Sequence, residues 1–158
     1  MSLFEDSQYV YRDTFFVFFP RANRPSAEQV KSILDELGDN YDIRNLKSVD
    51  GKLESLSVYS PQDYSAMDIT YVGGDEVTEQ INELLNDFKS MTLTGDDRQK
   101  IAVFDNCDAR FDVFHFEQVS EGEEETEVLD PGGLLLVLER LARLCQGVSL
   151  DPQSQTLL

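Results

Sequence analysis

The segment from Thr14 to Pro20, reading Thr-Phe-Phe-Val-Phe-Phe-Pro, constrains this chain more than any other, because four of its ten phenylalanines fall there. Successive side chains of a strand point to opposite faces, so Phe15, Val17 and Phe19 line one face while Phe16 and Phe18 line the other. Both faces are therefore apolar. Aromatic and β-branched residues favour a pleated surface and Pro20 ends the run, which predicts a strand starting at Tyr9 or Tyr11, lying mid-sheet and covered above and below.

The rest of the chain has to supply that cover. With 158 residues, one domain over 1–158 is expected, large enough to bury roughly 70% of the surface its unfolded form exposes. Ser26 and Gln29 form a Ser-x-x-Gln capping box for a first helix, with Val30, Ile33, Leu34 and Leu37 on one side and Gly38 past its end. Asp50-Gly51 supplies a tight turn between strands at 41–49 and 52–59. Ala66 to Val72 alternates, predicting a strand with one wet face. Gly73-Gly74-Asp75 leads into a second helix whose stripe is Val77, Ile81, Leu84, Leu85 and Phe88.

Residues 91–99 read as a loop or short edge strand, and 101–104 with 111–117 as a hairpin turning at Asn106-Cys107-Asp108. Six acids between 121 and 130 predict a mobile acidic loop at about 119–130, kept extended by mutual repulsion. Asp130 and Pro131 start a third helix, apolar around most of its circumference from Leu134 to Cys145 and so expected to touch more than one surface. Gly147 ends it, and 148–150 with 156–158 form a last short hairpin. The fold class is α+β, a mainly antiparallel sheet with about three helices. Its β-α-β-β opening is similar to half of a ferredoxin-like fold extended by extra strands, an architectural analogy that carries no function.

Thirteen basic side chains against thirty-one acidic ones give a formal charge of −18. Such a chain is repelled by phosphate backbones and anionic lipid, so nucleic-acid and membrane partners are not expected. The opening Met-Ser-Leu-Phe-Glu-Asp lacks the basic and apolar regions of a secretory signal, which predicts a cytoplasmic location. Cys107 and Cys145 suit neither a disulfide scaffold nor a zinc site and read as packed, reduced thiols.

No motif in the chain specifies a reaction or a cofactor. His115 is the only histidine, and strand alternation places it beside Glu117, so a histidine–carboxylate base is the catalytic candidate; no nucleophile motif accompanies it. A cation site drawn from Asp105, Asp108, Asp112, His115 and Glu117 matches no known loop spacing, and no metal is assigned. Arg21, Asn23 and Arg24 stand between the central strand and the first helix, the one basic spot suited to a small anion. Gly73-Gly74 is weaker still as a phosphate loop, since Asp75 and Glu76 repel the ligand. If helices cover only one face of the sheet, Phe16 and Phe18 become an interface for a second copy. The leading functional expectation is a non-enzymatic, acidic interaction protein, of inhibitor, immunity or adaptor type, docking on a basic partner. An enzyme using His115 and a small-anion module at Arg21 and Arg24 are the alternatives.

Overall fold

The computed structural model describes residues 7–38, 41–60, 65–118 and 132–158. Among the described residues, four α-helices and seven strands form an α+β fold around one antiparallel sheet. In chain order the elements are β1 (Tyr9–Phe19), α1 (Ala27–Glu36), β2 (Asp42–Val49), β3 (Lys52–Ser60), β4 (Ser65–Gly73), α2 (Asp75–Phe88), α3 (Gly95–Asp105), β5 (Ala109–Gln118), α4 (Gly132–Cys145), β6 (Val148–Asp151) and β7 (Thr156–Leu157). The sheet order is β2-β3-β4-β5-β1-β6-β7. The β-α-β-β opening is present in element order, with β4 and β5 inserted between β3 and β1.

The phenylalanine-rich run occupies the inside of the sheet, as its two apolar faces demand. β5 pairs with β1 along most of its length and β6 pairs with Phe16 to Phe18 on the other side. On the first face, Val30 and Leu34 of α1 and Leu138 and Leu141 of α4 pack with Phe15, Val17 and Phe19. On the second, Val77, Ile81 and Phe88 of α2 and Phe104 of α3 pack with Phe18. Each phenylalanine so buried contributes about 2 kcal/mol of hydrophobic stabilisation.

Local chemistry sets the element boundaries. Ser26 Oγ accepts the Gln29 amide at 3.2 Å while Gln29 Oε1 accepts the Ser26 amide at 2.9 Å, the reciprocal box read from the sequence. Asp50 and Gly51 both take positive φ, at 52° and 77°, as a two-residue hairpin turn requires. Gly147 answers to close approach instead: a Cβ there would sit 1.9 Å from the Phe18 carbonyl oxygen, so only glycine lets α4 turn back into β6 against β1.

One expectation needs correction. Residues 95–105 form a helix, not a loop followed by a strand, and the expected hairpin at Asn106-Cys107-Asp108 is a helix-to-strand connection. Thr94 Oγ1 accepts the Asp97 amide and Asp97 accepts the Thr94 amide, both at 3.1 Å, a capping box whose third residue is aspartate. The Thr94 amide, foremost, holds the Asp97 carboxyl below its ordinary value. Only Phe104 of α3 is buried, so the helix has no apolar stripe to betray it. The expectation that α4 touches more than one surface holds, since it packs on β1, β6 and α1, while Leu135 and Leu136 face outward. The acidic stretch at 119–130 and the helix start at Asp130 and Pro131 lie outside the described residues.

Candidate functional site

His115 lies on β5 directly opposite Asp13 of β1, and its Nδ1 stands 3.0 Å from Asp13 Oδ1. A bulge produces this pair. Tyr11 faces Phe116 and Asp13 faces His115, so Arg12 is an extra residue that moves Asp13 onto the histidine's face of the sheet. Glu117, the partner suggested by alternation, is instead held by Arg12 at 3.1 Å. Asp112 points to the other face, where it binds Arg110. A carboxylate on Nδ1 fixes the imidazole and leaves Nε2 as an acceptor, the arrangement a general base uses.

The thiols lie elsewhere. Cys107 packs with α2 and α3 on one side of the sheet, and Cys145, the last residue of α4, is buried on the other. Burial pushes each up to about 12. They are unbonded. Among the described residues no three histidine, cysteine or acidic side chains converge as metal ligands. Asp108 instead accepts the Arg21 amide at 2.5 Å, tying the end of β1 to the start of β5.

The basic spot after β1 is occupied by the protein itself. Arg24 donates through Nε and Nη2 to the Leu53 carbonyl, at 3.0 and 2.8 Å, and reaches Glu54 at 2.8 Å. Its guanidinium lies 3.6 Å from the Tyr71 ring centroid, a stacked cation–π contact. Asn23 donates to the Cys145 carbonyl at 3.0 Å, satisfying an end group of α4. Of the three candidates, only the exposed Arg21 side chain is left facing solvent.

Phe16 and Phe18 are also accounted for within the chain. Phe18 is fully buried and meets Phe104 edge-on at 4.9 Å between ring centroids. Phe16 is half-buried beneath the Arg110 guanidinium, 5.0 Å from its ring centroid. The helices divide two and two between the faces, so the condition for a second copy to cover this strand does not arise.

Arg110 was not singled out by the sequence. It is buried, binds Asp112 at 2.6 Å, donates to Gln80 of α2 and lies 3.7 Å from Glu76. A guanidinium with carboxylate and amide partners satisfies its donors here and anchors α2 to the sheet. The available signal was the Arg-x-Asp spacing, which puts both side chains on one strand face.

The surface of α2 is the other feature to emerge. Asp75, Glu76, Glu79, Glu83 and Asp87 are all exposed, and this helix contains no lysine or arginine. Among the described residues, only Glu76 of the five makes an ion pair, the long one to Arg110. No helix among the described residues is long and apolar enough to cross a membrane. Compared with family models, curated proteins and solved structures, the chain matches none.

Proposed function

We propose that this chain is a non-catalytic, acidic interaction protein of the cytoplasm, of the inhibitor, immunity or adaptor kind, that docks on a basic protein partner. The carrying observation is the row of five exposed carboxylates on α2, uninterrupted by a cation, in a chain of formal charge −18. Unneutralised charge of one sign on a rigid helix steers a basic partner toward that face and repels nucleic acid. A triple reversal, Glu79→Lys with Glu83→Lys and Asp87→Lys, tests it, because these side chains are exposed. Capture of basic proteins by the parent chain should fall at least tenfold between about 50 and 500 mM salt, and the reversal should lose it at low salt. Absent or salt-insensitive capture would refute the reading.

A catalytic reading keeps one observation in its favour, the carboxylate-oriented imidazole of His115 and Asp13 at 3.0 Å. His115→Ala in a hydrolase screen tests it, and unchanged activity ends it. The anion reading is left with Arg21 alone, since Asn23 and Arg24 are committed to backbone carbonyls. Self-association through Phe16 and Phe18 loses its motive for the same kind of reason: the chain covers both residues itself.

A further inference from the structure

α2 and α3 are joined by the short connection at 89–94 and pack against each other, and an open groove of about 650 Å³ lies between them. Its apolar floor is Leu85, Phe88, Leu93 and Ile101, and its α2 wall is Asn82 and Asn86. Glu79 and Glu83 stand three residues before those two asparagines, hence on the next row out along α2. The groove therefore has a greasy base and an anionic shoulder.

We infer that this groove receives an amphipathic basic helix of the partner, with its apolar stripe down on Leu85, Phe88, Leu93 and Ile101 and its basic side chains over Glu79 and Glu83. The inference deepens the reading of the chain as an acidic docking module and rests on it. The charged lining itself, Lys89 and Arg98 against Asp105, is close to balanced, so the five carboxylates on the exposed face of α2 beside the groove set the sign that a partner meets, and charge complementarity selects a basic occupant over an anionic one. Those cations also set a direction. Lys89 follows α2 and Arg98 lies in the first turn of α3, so both sit at the turn end, while Asp105 lines the opposite end. A docked helix carries negative partial charge at its C-terminus and positive at its N-terminus, so its C-terminus meets Lys89 and Arg98 and its N-terminus meets Asp105. The 11 residues of α3 span about 16 Å, which accommodates roughly three turns of such a helix.

The probe is a labelled 14-residue leucine–lysine peptide with helical periodicity, compared by fluorescence anisotropy with a scrambled peptide of identical composition. The periodic peptide should bind at least tenfold more tightly. Ala102→Trp, placed on the exposed α3 wall, should weaken it at least tenfold while leaving the circular dichroism and thermal midpoint of the protein unchanged. Arg98→Gln should weaken a peptide ending in a free carboxylate and not its amidated form. Equal binding of both peptides, unaffected by Ala102→Trp, overturns the groove while leaving charge-driven docking intact. Failure of both peptides to bind at low salt overturns both.

Discussion

The attachment of α3 rests on one buried side chain, Phe104, set edge-on against Phe18 at 4.9 Å with ring planes 85° apart. Removing that ring by Phe104→Ala costs the lost transfer energy plus the cavity left beneath the helix, about 3–5 kcal/mol. At 2–4 °C per kcal/mol for a chain of this size, a loss of about 4 kcal/mol lowers the thermal midpoint by about 8–16 °C. A gentler cycle isolates the contact itself. Phe18→Leu and Phe104→Leu remove ring edges without emptying the site, and their coupling in urea unfolding should be about 0.5–1.5 kcal/mol. Phe19 lies one residue away but on the opposite face, among the side chains of α1 and α4, so Phe19→Leu and Phe104→Leu should add within about 0.5 kcal/mol. Equal coupling of Phe104 to Phe18 and to Phe19, or a loss below about 1 kcal/mol for Phe104→Ala, would refute the two-sided cover of β1. Hydrogen exchange adds a local readout: amides of α3 should lose protection in Phe104→Ala before those of β1 and β5 do.

Three other outcomes follow from the same contacts. Arg110→Met leaves Asp112, whose side chain is 15% exposed, without its close cation, and should cost about 3 kcal/mol in urea unfolding; adding Asp112→Leu should recover part of that, and a loss within about 0.5 kcal/mol would show the pair to be incidental. With both thiols pushed up to about 12, the thiolate fraction at pH 8 is about a thousandfold below that of an ordinary cysteine, so native Cys107 and Cys145 should resist a disulfide reagent that labels both in denaturant; prompt native labelling would refute their burial. β2 is an edge strand with exposed Leu46 and Val49, and its ladder is broken around Asn45, which takes a φ of 56°; Asn45→Val disfavours that φ, so the variant should associate more with concentration in light scattering than the parent, and equal masses would refute a protective role for the bulge.

What the sequence made legible is what nearest neighbours along the chain decide. The two-faced apolar run placed β1 inside the sheet, the Ser-x-x-Gln box placed the start of α1, and Asp50-Gly51 placed the first hairpin. α3 was illegible by periodicity because a helix that buries one residue has no repeating stripe. Its Thr94-x-x-Asp97 signal was available, but a box closed by aspartate was not sought. Ile101 and Phe104 beside Val103 then imitate a strand, and only the three-residue interval between the two more buried positions separates the readings.

The partners of the candidate site residues were hidden for a different reason, one of distance along the chain. His115 finds Asp13 only because β1 pairs with β5 and Arg12 bulges out; either fact reversed would leave the histidine facing another residue. Arg24 is consumed by Leu53, Glu54 and Tyr71, and Asn23 by Cys145, none of them near in sequence. Residue type therefore offered candidates whose partners only tertiary pairing decides. Net charge is exempt from this difficulty, because no register can neutralise thirty-one acids with thirteen cations. Pairing makes the imbalance more local: Arg110 is drawn inward to the sheet, leaving α2 with five exposed carboxylates and no cation of its own. The same helix forms one wall of the groove, so the place where the acids go unanswered is also where apolar side chains meet solvent. A partner matched to only one of these properties leaves the other unsatisfied, and that is the physical reason to seek a helix that is both basic and amphipathic.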